Sequence, residues 1–379
     1  IDTRFPNDVS PELRTAVLTN ALDDADTSAL VVQTARSYHA GVLNGKTTEP
    51  EPPKKDAKKE VPRGGFIASD PAPDTPTLTQ DLLDLVGIFT PDLVILHGGD
   101  WKANVGVARA NPGSAIIDLA QPTPCLSDTG QPDTTGECLG GTAALPSNYA
   151  ATEFAVEEGA YLAGVVAARE SKGGSLGIIS GSTECLECDR YVTGFINGAL
   201  SVEPEIDIQL GVISADEVGG FGDEASAKNY TEAFLEVYQP TVLLPVGRGA
   251  TMGMVEAACE AGINVVGAGV DIGAERPDFA QQNCVLMSIV PDVARAVEEA
   301  MFFYSTGGNA PVTTYDLQGG GVRVTDEWRL SPTKRVDTND FYAAAEVAVL
   351  TDQVEPCPDG CGVFPPSAEG TEPGLTAAD

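Results

Sequence analysis

Short apolar runs alternate with longer amphipathic segments along most of this chain. The short runs are rich in valine, isoleucine and leucine, and glycine, proline or polar residues bound them, which is typical of buried β-strands. From residue 66 onward, the predicted strands are Phe66–Ser69, Leu93–His97, Ala115–Asp118, Leu176–Ser180, Ile208–Ser214, Thr241–Val246, Asn264–Gly267 and Val285–Ile289.

Between these runs, apolar residues recur at helical spacing. The predicted helices are Thr79–Phe89, Ala103–Ala110, Glu157–Glu170, Tyr191–Leu200, Glu224–Tyr238, Met252–Ala261 and Asp292–Tyr304. A glycine-rich strand pair is predicted over Thr313–Val324, and a further helix over Val336–Leu350. Regular alternation of strand and helix predicts an α/β protein with doubly wound parallel sheets.

The amino-terminal 65 residues give a weaker pattern. Pro11 at a first helical position and a partial apolar stripe predict a helix over Ser10–Leu22, and the run Ala29–Thr34 predicts a strand. Thr47–Gly65 is rich in Pro, Lys and Glu and has almost no apolar residue, so we expect an exposed insertion or linker.

With 379 residues, the chain is long enough for two lobes that each have a core. We expect it to cross between two sheets near Ala144–Thr152 and again near Asp271–Val285. The predicted parts are an amino-terminal lobe over 1–150, a carboxy-terminal lobe over 151–272, a return crossing over 273–330, and a helix and tail over 331–379.

The formal charge of −34, from 56 acidic and 22 basic residues, changes the list of expected partners. Such a charge repels nucleic acid and anionic lipid, so we expect neither to bind. The acidity has two interpretations: a solvated surface suited to salty surroundings, or a surface for a cationic partner. The chain starts at Ile1 without a Met and has no long apolar run, so we expect a processed or truncated secretory product from an extracytoplasmic compartment.

The eight cysteines are close neighbours in sequence, which suggests disulfides and an oxidising compartment. The neighbouring pairs are Cys125 with Cys138, Cys185 with Cys188, Cys259 with Cys284, and Cys357 with Cys361. Spacing does not fix the connectivity, and a zinc site from Cys185, Cys188, Cys357 and Cys361 is the alternative. Acidic neighbours of the C-x-x-C pair disfavour a thiolate, so a structural bridge is favoured there over a redox role.

No catalytic constellation, phosphate loop or dinucleotide fingerprint is present in the sequence, so we expect neither an enzyme nor a cofactor. Ligands of doubly wound domains sit beyond the carboxyl ends of the strands. His97 ends a predicted strand and is either a ligand contact or a loop histidine. Trp101 follows two glycines and could stack on a flat ring or cover the edge of the lobe.

Three further strand-end loops carry candidate ligand contacts. Phe221 lies in a Gly-Gly-Phe-Gly loop, where an apolar ring is exposed unless something covers it. Gly247 and Arg248 precede a helix, where backbone N–H groups favour oxygen ligands, although a salt bridge is the alternative role for the arginine. Asp271 ends a strand, and its carboxylate could accept both hydroxyls of a ribose.

Several segments resemble the basic membrane protein family, the nucleoside-binding lipoproteins of ABC importers. The resemblance covers Thr79–Val324 and is most specific over Phe154–Val297. The segments that carry it are the EEGAYLAGVVAA and GFINGA helices, the strand ending in Gly181, GGFGDEASAKNYTEAF, LLPVGRGATMGMVEAACEAG, VVGAGVDIG and VLMSIVPDVARAV.

The resemblance implies a type I periplasmic-binding fold with a ligand in the interlobe cleft. It implies that Phe221 stacks on a purine, that Asp271 binds ribose, and that an acid near Glu157 contributes. The chain departs from the family in three places. The amino-terminal aromatic and asparagine motif is missing, Pro291 stands where a lysine is expected, and Val156 aligns with the expected acid.

We therefore expect a binding protein for a nucleoside or similar small polar ring compound, working with the membrane component of an ABC importer. The alternative is a structural or assembly protein that kept the fold and lost the ligand site. The missing motif, the lysine-rich insertion and the cysteine-bearing tail favour that alternative, and they suggest that the protein could form a homo-oligomer or assembly.

Overall fold

The computed structural model describes residues 14–19, 25–42, 66–68, 75–98, 101–119, 126–131, 139–183, 185–214, 220–305, 312–330, 334–358 and 361. The chain forms two compact units. The first contains residues 1–153 and 293–314, and the second contains residues 154–292 and 315–379.

The first unit is built on a six-stranded sheet in the order β11-β5-β4-β3-β1-β2. Its strands are β1 (Thr15–Thr19), β2 (Phe66–Ala68), β3 (Leu93–His97), β4 (Ala115–Leu119), β5 (Tyr149–Phe154) and β11 (Val312–Tyr315). Its helices are α1 (Ala25–Val42), α2 (Thr75–Phe89), α3 (Trp101–Ala110) and α10 (Val293–Ser305). The pairings of β1 with β2 and β3, of β3 with β4 and of β4 with β5 are parallel, as the alternating pattern predicted.

The second unit is built on another six-stranded sheet, in the order β12-β10-β9-β8-β6-β7. Its strands are β6 (Leu176–Ser182), β7 (Ile208–Ser214), β8 (Val242–Val246), β9 (Asn264–Ala268), β10 (Val285–Pro291) and β12 (Val322–Val324). Its helices are α4 (Val156–Glu170), α5 (Leu186–Val202), α6 (Glu224–Tyr238), α7 (Thr251–Glu260), α8 (Ile272–Glu275), α9 (Pro277–Gln281) and α11 (Thr338–Leu350). Short 3₁₀ turns lie at Thr142–Ala144, Arg248–Ala250 and Glu327–Leu330.

The central strands are buried on both faces, which explains why they read as continuous apolar runs. Every residue of β3, β6 and β8 is buried. Helices cover both sheets, and each unit has a core of its own between sheet and helices. The α/β class with parallel sheets in two lobes is thus confirmed.

Two predictions at the amino-terminal end are wrong. The described part of the predicted helix over Ser10–Leu22 is strand β1, which pairs with both β2 and β3 in the middle of the sheet. The predicted strand over Ala29–Thr34 lies inside α1. Val31, Ala35 and Tyr38 are the buried hydrophobic residues described in that helix, at a spacing of four and three, and Ser28 and Thr34 on the same face are also buried, whereas Leu30 is 42% exposed. The burial therefore follows the helical period, which a four-residue apolar run does not reveal.

Two further elements differ from expectation. Strand β5 lies where only a crossing of the chain was predicted, and it extends the first sheet by pairing with β4. The glycine-rich segment Thr313–Val324 gives two strands that do not pair with each other. Strand β11 joins β5 in the first sheet, whereas β12 runs antiparallel to β10 in the second. Which strand β11 or β12 pairs with depends on long-range contacts in each sheet and cannot be predicted from the local sequence.

Three predicted disulfides are present. They are Cys185–Cys188, Cys259–Cys284 and Cys357–Cys361. Because these six sulfurs are bridged, the alternative zinc site is wrong. Within the described part of the chain, no three His, Cys, Asp or Glu side chains come together as a metal site. Cys125, Cys138 and the insertion Thr47–Gly65 lie outside the described residues.

No helix among the described residues has both the length and the apolar character needed to cross a bilayer.

Candidate functional site

One edge of the second sheet gathers several of the predicted site residues. Strands β6 to β10 run parallel, so their carboxyl ends meet at the same edge. Phe221 follows β7, Gly247 and Arg248 follow β8, and Asp271 follows β9. This is the edge at which doubly wound sheets bind ligands.

Phe221 is a covered ring, with only 1% of its surface exposed. A Cβ atom on Gly181, in β6, would lie 2.3 Å from its Cε1 atom, so the ring packs directly on the strand backbone where only glycine fits. The guanidinium carbon of Arg248 lies 5.0 Å from the centroid of the ring. Arg248 is thus the group that covers the aromatic ring, and together they form one cation–π layer.

Arg248 is also held by a carboxylate. Its Nη2 atom lies 3.7 Å from Oε2 of Glu187, in the first turn of α5. The disulfide next to Glu187 shapes this helix start, since Sγ of Cys185 accepts a hydrogen bond from the N–H of Cys188, 3.1 Å away. The backbone of Arg248 adopts the left-handed conformation, with φ at +44°. The sequence identified Arg248, but no signal singled out Glu187 as its partner.

Gly247 has a packing role in this loop. Its N–H donates to Oγ1 of Thr251 at 3.1 Å, so the amide is already bonded within the protein. A Cβ atom at this position would lie 2.0 Å from Cε of Met254, in α7. The missing side chain therefore lets the loop sit close to the helix that follows it.

Glu157 forms a two-pronged ion pair with Arg190. The Nε and Nη2 atoms of Arg190 donate to the two carboxylate oxygens, both at 2.7 Å. The two side chains are only 13% and 14% exposed, so the pair is well shielded from water. This contact joins the first turn of α4 to the fifth residue of α5. Arg190 was missed in the sequence because no motif points to it.

Asp271 caps helix α8 and also accepts from an arginine. Its Oδ1 accepts the N–H of Ala274 at 3.0 Å, and its Oδ2 accepts from Nη2 of Arg323 at 2.8 Å. The side chain is 21% exposed, and a carboxylate has about four lone-pair positions. It can therefore accept further hydrogen bonds from ligand hydroxyls. Arg323 comes from β12 and gave no signal in the sequence.

The remaining two predicted residues belong to the first unit. His97 ends β3, opposite Thr19 and Leu119 of the neighbouring strands, and is 6% exposed. Trp101 begins α3 and is 7% exposed, with its ring in the core of that unit.

A buried carboxylate in the first unit was not anticipated. Asp118 is fully buried near the end of β4, and its Oδ2 accepts from Nδ2 of Asn104 at 2.8 Å and from the hydroxyl of Tyr149 at 2.9 Å. In the sequence, the one sign of this buried carboxylate is that Asp118 interrupts the apolar run IIDL. The run by itself predicts only a strand.

Comparison with known proteins identifies the group to which this chain is related. Residues 131–344, more than half of the chain, match the model of the Bmp family, described as ABC transporter substrate-binding protein PnrA-like. The chain belongs to this family. The Bmp family consists of substrate-binding proteins and not of enzymes, which agrees with the absence of a catalytic motif from the sequence.

Curated relatives of the Bmp type match more distantly. The ABC transporter nucleoside-binding protein BmpA of Lactococcus lactis subsp. cremoris is 28% identical over 188 residues, 46% of this chain and 52% of its own length. Basic membrane protein A of Borreliella burgdorferi is 29% identical over 154 residues, 40% of this chain and 42% of its own length. The chain thus matches about half the length of these relatives.

Solved structures establish the fold over a longer range. An ABC transporter solute-binding protein from Aeropyrum pernix has a TM-score of 0.65 at 14% identity and covers 90% of this chain and 92% of that one. A periplasmic solute-binding protein from Actinobacillus succinogenes with bound D-allose has a TM-score of 0.59 at 16% identity, covering 83% and 98%. At these identities the likeness concerns the type I periplasmic-binding fold alone.

Proposed function

We propose that this protein binds a nucleoside or a similar small polar ring compound at the carboxyl-end loops of its second sheet, and passes it to the membrane component of an ABC importer. The observation that carries the proposal is the meeting of an aromatic–guanidinium layer, Phe221 with Arg248, and a partly exposed carboxylate, Asp271, on one sheet edge. A flat ring stacks on such a layer, and ribose hydroxyls donate to such a carboxylate.

The family supports this assignment of the site. Bmp proteins are substrate-binding proteins of ABC transporters, and one relative carries nucleoside binding in its name. Proteins of this class meet their transporter outside the cytoplasm, so we propose an extracytoplasmic location. Membership of the family does not favour the alternative of a structural protein that lost its ligand site.

The experiment is calorimetric titration with adenosine, guanosine and inosine, first on the wild type and then on Phe221→Leu. Leucine keeps an apolar side chain against Gly181 and removes the stacking ring. Because the ring is only 1% exposed, the ligand stacks on the Arg248 guanidinium that lies over it, and loss of this aromatic support is expected to weaken binding by about 0.5–2 kcal/mol. Phe195→Leu is the matched control, because Phe195 is also fully buried but lies in the body of α5. Equal affinity of Phe221→Leu and the wild type would contradict the stacking role.

Asp271→Asn tests the carboxylate. Asparagine keeps an oxygen for the N–H of Ala274 but loses the charge, and hydrogen bonds to a charged group contribute about 1.5–3 kcal/mol. We therefore expect weaker nucleoside binding. Asp223→Asn is the control, because Asp223 likewise caps a helix, with Oδ1 accepting from the N–H of Ala225 at 2.9 Å. A wild type that binds none of the three nucleosides would overturn the nucleoside assignment.

A further inference from the structure

Tyr191 places a buried hydroxyl at the candidate site. The residue lies in α5 and is only 3% exposed. A Cβ atom built on Gly269 would lie 3.8 Å from the hydroxyl oxygen. Gly269 directly follows β9 and precedes Asp271 by two residues, so the hydroxyl lies at the same sheet edge as the proposed ribose acceptor.

Among the described residues, none exchanges a hydrogen bond with this hydroxyl. The charged groups around it are engaged with each other. Both oxygens of Glu157 accept from Arg190, and Glu187 is paired with Arg248. A buried polar group that lacks a partner in the protein costs stability, so a native chain that retains one calls for an explanation.

The phenol is a permanent donor. Burial, and next the charge of Glu187, raise the pKa of Tyr191 well above its usual 10. Glu157 acts in the same direction, while Arg190 and Arg248 act against it. The hydroxyl therefore stays protonated at physiological pH and keeps its hydrogen to donate.

We propose that the Tyr191 hydroxyl donates a hydrogen bond to the bound ligand beside Gly269. The inference deepens the proposed function and depends on it for the ligand class. The ligand must present an acceptor at this point, such as a ring nitrogen, a carbonyl oxygen or a sugar oxygen. No sequence motif points to this role, because in the sequence Tyr191 is only the first residue of a predicted helix.

Tyr191→Phe removes the oxygen and nothing else, and the first measurement is thermal unfolding without ligand. Because the hydroxyl has no partner among the described residues, Tyr191→Phe should unfold at the same temperature as the wild type or higher. Tyr230→Phe is the control, since the hydroxyl of Tyr230 accepts the N–H of Val212 at 3.1 Å. That variant should unfold about 2 °C lower.

The second measurement is calorimetric affinity for adenosine, guanosine and inosine. Loss of one hydrogen bond between neutral groups should make binding by Tyr191→Phe about three- to tenfold weaker, while Tyr230→Phe should bind as the wild type does. Equal affinity of Tyr191→Phe and the wild type would overturn the inference.

The two proposals fail in different ways. If the wild type binds none of the three nucleosides, the nucleoside assignment is wrong. The unfolding temperature of Tyr191→Phe then still tests whether the hydroxyl is bonded within the protein. A lower unfolding temperature of Tyr191→Phe would show a bond within the protein and overturn the inference. An unchanged or higher temperature supports an acceptor supplied from outside the protein.

Discussion

Gly164 of α4 lies directly against the carbonyl oxygen of Phe195 in α5. A Cβ atom on Gly164 would be 2.0 Å from that oxygen, closer than any real contact. The approach is repeated one turn away, where a Cβ atom on Gly198 would be 1.9 Å from the carbonyl oxygen of Tyr161. The two helices thus pack backbone to backbone, and this contact positions Glu157 and Arg190 for their ion pair.

We predict that Gly164→Ala destabilises the protein by about 1–3 kcal/mol, because the added methyl group forces two backbones apart. Urea unfolding followed by circular dichroism measures the change. Gly106→Ala is the control. Gly106 is also inside a helix, but a Cβ atom there meets nothing within 4 Å. That variant should gain about 0.5–1 kcal/mol from the better helix propensity of alanine. Similar effects of the two substitutions would contradict the close packing.

The disulfides should differ in their contributions. Cys259–Cys284 closes a segment with a sequence separation of 25 and joins α7 to the residue before β10, whereas Cys357–Cys361 has a sequence separation of only 4. In the chain-entropy model, the longer loop stabilises by about 3.5 kcal/mol and the shorter by about 2 kcal/mol.

Cys259→Ser with Cys284→Ser should therefore lower the free energy of unfolding more than Cys357→Ser with Cys361→Ser does. The double variants are compared by urea unfolding under oxidising conditions. The reverse order would show that the bridge near the carboxyl end stabilises the fold by a means other than chain entropy.

Glu158 should make stability depend on pH. Burial of this half-buried carboxyl raises its pKa above the usual 4.5, and the negative charges of Glu157, Asp316 and Asp352 act in the same direction. The hydrogen bond that it accepts from the N–H of Leu317 at 2.7 Å acts against this rise and does not cancel it. When the pKa of a carboxyl is higher in the folded than in the unfolded protein, its contribution to folding stability is fully present at pH values below the unfolded-state pKa. That contribution is lost as the pH rises through the folded-state pKa.

We therefore predict that Glu158→Gln, which keeps an acceptor and removes the charge, is at least as stable as the wild type at pH 7. The difference between the two should vanish below about pH 4, where both side chains are neutral. Unfolding temperatures measured from pH 3 to pH 8 test this. A variant less stable than the wild type at pH 7 would show that the charged form is favoured in the folded protein.

Glu170 should anchor the last helix. Its carboxylate is 7% exposed and accepts the N–H of Arg335 at 2.9 Å and the hydroxyl of Thr338, the first residue of α11. The neighbouring Arg169 pairs with Asp337, and its guanidinium carbon lies 4.2 Å from the ring centroid of Phe341.

We predict that Glu170→Ala lowers the free energy of unfolding by about 1.5–3 kcal/mol, because two donors lose a charged acceptor. Hydrogen exchange should accelerate first in α11. Glu346→Ala is the control, because Glu346 accepts the hydroxyl of Tyr342 within the same helix at 3.1 Å. Loss of this local bond should cost about 1 kcal/mol. Uniform acceleration across both units would argue against a local anchor.

The sequence alone determined the α/β class and most strands and helices of both units, and it favoured the three neighbouring cysteine pairs that are bridged among the described residues. Buried parallel strands are continuous apolar runs, and amphipathic helices keep a clear period, so Leu93–His97, Ile208–Ser214 and Glu224–Tyr238 were predicted with their bounds. Strand-end position was also enough to select Phe221, Arg248 and Asp271, because parallel strands share one carboxyl edge.

Only the tertiary structure decided the rest. The segment TAVLT is a strand because β2 and β3 pair with it on either side. Likewise, β11 and β12 lie in different sheets because each pairs with a remote strand, β11 with β5 and β12 with β10. The partners of the site residues also come from remote segments, as Arg190 does for Glu157 and Arg323 for Asp271. Local patterns report the period of burial along one element. They do not report which side chains long-range packing brings within hydrogen-bonding distance, and the hydroxyl of Tyr191 beside Gly269 is visible only there.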